Sequence, residues 1–367
     1  MRGKTQEQPA FLTVLNLNDR VPGDHPLREI KRRVDLILKK LSPLFDQLYA
    51  QRGRPSIAPE QLLKARVLMA LYSVRSERQF CEQLGYNLLW LWFLDRDLDE
   101  GSWDASTFTQ NQERVLSSEV AHLFFLEVYE TSRQEGWSSD QHFTADGTLI
   151  EAWAGMKSFK RKEGEDHSAS DDEDKGNPTV NFRGEKRSNQ THQSTTDPQA
   201  VLYKKGAGKE SRLCFGAQVL MENRHGLCAA ITVHNPIASR EPAMALQQLD
   251  EHRQMFGSPV RSVGADKAYH EKGFVSGCRE REISPHAACR TGLTVAGLDK
   301  RTTERKGFVT SQRIRKRVEE IFGWMKTVGG MRKTRYRGID RTQGWAYMVA
   351  GTYNLLRMAK LSLALSS

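Results

Sequence analysis

Apolar and polar positions along the chain change their period twice. From about Leu27 to Tyr49 the spacing predicts a helix, followed by a turn at "RGRP". After Pro59, which suits a first helical turn, "EQLLKARVLMALY" carries apolar residues around most of a helix's circumference. Ser76 and Gln79 fit a capping box for "ERQFCEQLG", which Gly85 ends. The apolar run "NLLWLWFL" comes next, and Thr107 with Gln110 is placed to cap one more helix. Short helices joined by tight turns describe either a helix-turn-helix DNA reader or a small bundle that only packs.

From His142 the period becomes two. In "HFTADGTLIEAW", Phe143, Ala145 and Leu149 fall on one face and Thr144, Asp146 and Thr148 on the other. "RLCFGAQVLME" and "LCAAITVH", joined by "NRHG", form a hairpin signal with Gly226 at the turn. A helix over about 241–255 follows, then a strand "VRSVGA" that delivers Asp266. A helix over about 271–282, a strand "ISPHAAC", a helix around Arg313–Lys326 and an amphipathic helix over about 342–361 complete the order. Three antiparallel strands followed by crossovers describe an α/β mixed sheet with flanking helices, preceded by an all-α N-terminal domain. The expected divisions are an N-terminal arm over 1–54, a helical and possibly DNA-binding domain over 55–135, and an α/β domain over 140–365. Residues 158–210 are poor in apolar residues and hold the acidic run "EGEDHSASDDEDKGN", so they read as a mobile insertion rather than a core element.

Composition narrows the class. At 38% apolar, 367 residues can bury a sizeable core, and no apolar run approaches the roughly 18 residues that span a bilayer. No signal peptide is visible in "MRGKTQEQPAF", and the five cysteines form no C-x-x-C pair. These features point to a reducing cytoplasm, with neither a disulfide framework nor a zinc site. Net charge is +10, and it is concentrated: from Arg301 to Arg341 there are 13 lysines and arginines against 4 acids. A local excess this rich in arginine fits a nucleic-acid partner better than a merely solvated face.

Inside that basic window stand Glu319 and Glu320. On a wheel of about 100° per residue with Arg315 at zero, Glu319 lies near 40° and Lys326 near 20°, beside the buried stripe. Glu320 falls near 140°, on the surface. Alone, Glu319 is explained by an i,i+4 pair with Arg315, contributing about 0.3 kcal/mol. Asp146 on the polar side of a strand and Asp266 at a strand end change that balance. Three carboxylates without histidine or cysteine suit hard cations such as Mg²⁺ or Mn²⁺. Two such ions can activate a water or a 3′-hydroxyl against a phosphodiester.

With these residues assembled, the chain resembles a bacterial insertion-sequence transposase of the DDE type, in the IS-four/IS-five superfamily. The family signature is Y-x2-R-x3-E-x6-K. Arg315, Glu319 and Lys326 match its last three positions, while Gln312 stands where tyrosine is expected. "TADGTLIEAWA" and "VGADKAYH" are similar to the segments around the family's two aspartates, which carry over as Asp146 and Asp266. "RPSIAPEQLLKARVLMALYSVRSERQFCEQLGYNLLWLWFLD" and "WDASTFTQNQERV" resemble its N-terminal helical domain. The resemblance covers about Arg54 to Leu361.

It implies a ribonuclease-H-like core and a site where Asp146, Asp266 and Glu319 bind two Mg²⁺ or Mn²⁺ ions and carry catalysis. Cleavage at transposon ends and strand transfer into target DNA would follow. The implied partners are terminal inverted repeats and target DNA, a homodimer or higher synaptic assembly, and no membrane. The implied place is the bacterial cytoplasm, at the nucleoid. Arg315, Lys326, Arg332, Lys333, Arg335 and Arg337 are the expected DNA-binding cations. A metal-dependent nuclease that cuts without joining, and a catalytically silent regulator derived from a transposase, are the alternatives. His142 and His270 lie near two of the acids and could ligate or relay protons, but read rather as packing or surface residues. Trp153 and Trp324 read as candidates to stack on a base, Trp324 being either exposed or covered by another element. Cys214 and Cys228 read as small core residues.

Overall fold

The alternating segment from His142 becomes the central strand, β1 (His142–Glu151), of a six-stranded sheet in the computed structural model. Described are residues 15–49, 52, 56–115, 118–162, 181–182, 185–204, 210–237 and 240–366. The other strands are β2 (Val201–Tyr203), β3 (Arg212–Glu222), β4 (Leu227–His234), β5 (Ser262–Ala265) and β6 (Ser284–Ala287). The order is β6-β5-β1-β3, with β4 and β2 both pairing to β3. β1, β5 and β6 run parallel, whereas β1, β3 and β4 are antiparallel. Three antiparallel strands feeding a parallel pair through helical crossovers is the ribonuclease-H arrangement, as expected. Gly226, at φ 72°, makes the β3–β4 turn in the left-handed region that favours glycine.

The N-terminal helices are α1 (Leu17–Arg20), α2 (Pro26–Leu48), α3 (Pro59–Leu71), α4 (Glu77–Leu84), α5 (Leu88–Phe93), α6 (Ala105–Val115) and α7 (Ser118–Gln134). Every residue of α3 from Leu62 to Ala70 is buried, as an apolar circumference requires, and this includes Lys64 and Arg66. Ser76 accepts from the Gln79 amide at 3.3 Å and so caps α4. The cap of α6 is Asp104, not Thr107: Asp104 Oδ1 accepts from the Thr107 amide at 2.8 Å. An aspartate outcompetes a threonine three residues on because its carboxylate reaches the first free amides.

After the sheet hairpin come α8 (Glu241–Phe256), α9 (Lys272–Glu280), α10 (Lys300–Thr303), α11 (Lys306–Ile314), α12 (Val318–Thr327) and α13 (Ile339–Ser366). α13 packs on α7, α2, α3 and β4. It also closes the open side of β4. Gln343 accepts from the Val233 amide at 2.5 Å and donates to the Ile231 carbonyl at 3.0 Å. Asn354 accepts from the Cys228 amide and donates to its carbonyl, both at 2.8 Å. Two side-chain amides thus stand in for a neighbouring strand and satisfy an edge that would otherwise be unpaired.

Two expectations need correction. The stretch 158–210 is not wholly an insertion outside the core. Residues 163–180, with the acidic run, lie outside the described residues. Residues 159–161 and 192–194 pair as a small ribbon, however, and β2 joins the main sheet. His192, Ser194 and Asp197 are buried, and Asp197 accepts from the Gly338 amide at 3.0 Å. Polar residues enter a core when backbone groups satisfy them, so low hydrophobicity misplaces this segment.

The helix expected over Arg313–Lys326 is also interrupted. A 3-10 turn at Arg315–Arg317 separates α11 from α12. Arg317 anchors that turn by donating to the carbonyls of Asn223 at 2.7 Å and Arg224 at 3.1 Å. Winding at about 120° per residue instead of 100° carries Glu319 away from Arg315. The i,i+4 pair is accordingly not formed.

Candidate active site

Strand register positions the two aspartates. Thr144 on β1 pairs with Gly264 on β5. Two residues further along each chain stand Asp146 and, just past the end of β5, Asp266. Alternation puts both on the face that Thr144 and Gly264 share. That face is covered by α11 and α12: a Cβ on Gly264 would meet Ser311 Oγ at 2.9 Å and Arg315 Cβ at 3.4 Å, and Lys326 Nζ donates to Thr148 Oγ1 at 2.5 Å. The strands bearing the aspartates therefore pack against α11, α12 and the 3-10 turn between them, which carry Arg315, Glu319 and Lys326.

Both aspartates are half-buried. Asp146 Oδ1 accepts from the Gly147 amide at 2.8 Å, and Asp266 Oδ1 from the Ala268 amide at 2.7 Å, which caps a 3-10 turn. The buried Tyr269 hydroxyl feels both. Its pKa is raised well above the usual value, chiefly by burial and further by the charges of Glu241, Asp146 and Asp266. Glu241, at the start of α8, lies against β1 on the opposite face from Asp146, where a Cβ on Gly147 would meet its carboxylate. The alternating pattern of β1 gives no sign of this acid on its other face.

Glu319 is exposed, and its side chain makes no hydrogen bond or ion pair among the described residues. It stands beyond Phe322, which edges the buried stripe of Val318, Ile321, Phe322 and Met325. Glu320 is a surface residue paired with Arg357 at 3.1 Å. Among the described residues, no three His, Cys, Asp or Glu side chains are grouped closely enough to hold a metal ion. The oxygen-only set of Asp146, Asp266 and Glu319 suits a hard divalent cation in chemistry, with Glu319 standing apart in arrangement.

The expected DNA-binding cations divide into two kinds. Gln312, at the signature's tyrosine position, donates to the His286 carbonyl on β6 and accepts from Arg315 Nε at 3.0 Å, fixing the Arg315 guanidinium. Lys326 is half-buried beside β1. Residues 332–334 add to the end of β1 as a short parallel pairing, with the Glu151 amide on the Arg332 carbonyl at 3.0 Å and the Thr334 amide on the Glu151 carbonyl at 2.8 Å. Arg332, Lys333 and Arg337 are exposed there, and Lys333 Nζ stands 5.8 Å over the half-exposed Trp153. Arg335 instead turns inward, donating to the Arg75 carbonyl. Trp324 is covered by Tyr353 of α13, edge to face at 5.7 Å. The His142 and His270 rings serve packing, His142 bonded to Ser262 at 2.9 Å and His270 accepting from the Arg290 amide at 3.1 Å. Cys214 and Cys228 are buried and free.

The geometry is thus a ribonuclease-H-like sheet with Asp146 and Asp266 on neighbouring central strands and the cationic turn Arg315–Arg317 between the two helices laid across them. Two family matches narrow this. The Transposase domain (DUF772) family matches residues 15–114, and the Transposase DDE domain family matches residues 183–355. The chain belongs to the DDE transposases of insertion sequences. No curated protein matches it in sequence. Among solved structures it is similar to the piggyBac transposase of a synaptic complex with hairpin DNA, at 11% identity and TM-score 0.42, over 92% of this chain and 76% of that one. It is also similar to Mos1 transposase in a strand transfer complex, at 10% identity and TM-score 0.24, over 86% and 81%. Likenesses so remote leave membership resting on the two sequence matches. No helix among the described residues is long and apolar enough to cross a membrane.

Proposed function

We propose that this transposase cuts DNA at the ends of its element and joins the freed 3′-hydroxyls to target DNA, with Asp146, Asp266 and Glu319 as the catalytic carboxylates. The observation that supports this is the common face of Asp146 and Asp266 on two neighbouring strands, turned toward the helices that carry the signature residues. Asp146, Asp266 and Glu319 would hold Mg²⁺ or Mn²⁺, two ions per site. Bound there, the metal supplies Lewis-acid stabilisation of phosphodiester oxygens and an activated nucleophile.

The chain's own residues supply the rest. Asp146 and Asp266 are held in place by the amides of Gly147 and Ala268, so the strand pair presents a rigid half of the site. The exposed Glu319 closes it when the strand is seated. Arg315, held by Gln312, and Lys326, held by Thr148, grip phosphates beside the carboxylates. Arg332, Lys333 and Arg337 extend that grip along the continuation of β1. Partners are the terminal inverted repeats and target DNA, with two or more copies in a synaptic assembly at the nucleoid of a bacterial cytoplasm. The IS-four/IS-five grouping and a DNA-binding role for the helices of 55–135 belong to the same reading.

The test is Mg²⁺-dependent strand transfer between an oligonucleotide carrying the inverted repeat that flanks the gene and a supercoiled plasmid. Wild type should give joined product. Asp146→Ala should lose cleavage altogether and still bind the end. Cutting that persists in this variant refutes the metal assignment. Cleavage without joining points to a nuclease, and end binding without any cleavage by wild type points to a regulator.

A further inference from the structure

A cavity of about 400 Å³ opens between the N-terminal helices and the basic segment after α12. Arg66, on α3 and only 1% exposed, forms its floor. Its Nη1 donates to Glu77 at 3.1 Å and to the Tyr336 hydroxyl at 2.9 Å, and its Nε donates to Gln112 Oε1. Arg335 enters from the opposite side, its Nη2 lying 3.7 Å from the same Glu77 oxygen. Both guanidiniums approach the Trp345 ring, Arg335 at 4.9 Å and Arg66 at 5.8 Å.

One carboxylate therefore serves two guanidiniums, and among these three groups one positive charge is left over, with Arg66 buried and Arg335 largely withdrawn from water. That excess is destabilising unless an anion answers it. Burial pulls the Arg66 pKa down, and Arg335 adds to the fall. Burial alone would raise the Glu77 carboxyl, but Arg335 and Arg66 together hold it below its ordinary value.

Hydrogen bonding tells the same story independently. Among the described residues, Gln112 Nε2 and Arg335 Nε are buried donors without a hydrogen-bond acceptor, Arg335 Nη2 has only the long 3.7 Å ion pair with Glu77, and Gln112 is 1% exposed. In native folds such donors are answered by ordered water or by a ligand that supplies oxygens, and beside an unmatched positive charge an anionic ligand answers both needs at once. The exposed Arg75 lines the same cavity and adds a cation at its mouth. Trp153, half-exposed, lines it as well and offers a ring face to a base.

We infer that this cavity binds a phosphate group of a DNA strand on Arg66, Arg335 and Gln112, and so couples α3, α4 and α6 to the segment that extends β1. The inference rests on the transposase reading only for the source of the phosphate; the excess charge and the donors stand without it. Gln112→Glu keeps the acceptor for Arg66 Nε, turns the unmatched donor into an acceptor, and supplies the missing negative charge from within.

Full-length wild type and Gln112→Glu are compared by thermal unfolding with and without inorganic phosphate, and by binding to an end duplex across a salt series. Inorganic phosphate should raise the Tm of wild type and leave that of Gln112→Glu unchanged. The variant should bind duplex about tenfold more weakly. Its slope of log K against log salt should be shallower by about one. Arg335→Gln should lose the same phosphate response, and Asp146→Ala should keep it. A Gln112→Glu protein stabilised by phosphate as wild type is would overturn the site. A phosphate response in wild type alone, with duplex affinity and salt slope unaltered, would overturn DNA as the occupant. Failure of the pocket leaves Mg²⁺-dependent cleavage by wild type untouched, and failure of the catalytic reading leaves the phosphate response untouched, so the two are told apart.

Discussion

Gly264 lies where the strand leading to Asp266 meets the helices leading to Glu319, and replacing it measures how closely they are held. A methyl there would stand 2.9 Å from Ser311 Oγ, 3.4 Å from Arg315 Cβ and 3.5 Å from His142 Cε1. Only the first contact is too short to keep. Overpacking of this kind costs about 1–3 kcal/mol. Restricting the unfolded chain returns about 0.4–1 kcal/mol. Gly264→Ala should therefore destabilise by about 1–2 kcal/mol. Ser311 Oγ is buried and has no hydrogen-bond partner, so Ser311→Ala should be neutral or stabilise by about 1 kcal/mol. In the Ser311→Ala background the added methyl has room, and its cost should fall below about 0.5 kcal/mol, a coupling of about 1 kcal/mol. Urea unfolding of the four proteins gives the cycle. Cleavage by Gly264→Ala should fall about tenfold to a hundredfold, beyond its loss of stability, because the helix carrying Glu319 is pushed from the aspartates. The double variant should recover most of it. If Gly264→Ala costs the same with or without the Ser311 hydroxyl, the proposed contact between strand and helix is wrong.

The tie between the N-terminal helices and α13 is also testable. Arg33, 2% exposed, bonds Glu135 at 2.7 Å, Glu29 at 2.8 Å and Ser362 at 2.8 Å, so Arg33→Ala should cost about 3–5 kcal/mol in urea unfolding. Burial alone would raise the Glu135 carboxyl, but Arg33, together with Trp137 and Arg32, holds it below its ordinary value. A depressed carboxyl stabilises above its unfolded pKa and loses that contribution as pH falls through the folded value. Tm measured from roughly pH 6 down to 3 should therefore drop below about 4.5, and less steeply in Arg33→Ala. Cysteine labelling is the remaining check: native protein should react with an aromatic disulfide at the exposed Cys289, and at all five thiols in urea. Burial pushes Cys81 up to about 11 and Cys214 and Cys278 up to about 12, so labelling of these in native protein would contradict their placement.

Strands and helices that follow one period were legible. β1, the β3–β4 hairpin and α8 lie within a residue or two of their expected bounds, because a single buried face wrote a single periodicity into each. The break at Arg315–Arg317 was not legible, since it depends on Arg317 reaching carbonyls of a hairpin some 90 residues earlier in the chain. The same limit hid Arg66 and Gln112. Each reads locally as an ordinary polar residue on a helix, and only the fold sets Arg335 opposite them. One sign was available: the lysine and the arginine within the mainly apolar "LLKARVLMAL" had to be buried with partners or not buried at all.

The side-chain amides with which α13 closes β4 have a consequence for synthesis. The sheet edge is made early on the ribosome, and the helix that satisfies it emerges some hundred residues afterwards. A polypeptide cut short by a nonsense codon or frameshift before Gln343 would leave β4 with bare amides and carbonyls, and an open strand of that kind pairs with others of its kind. Shortened products should therefore clump and be degraded rather than persist as soluble inhibitors that compete for the element's ends.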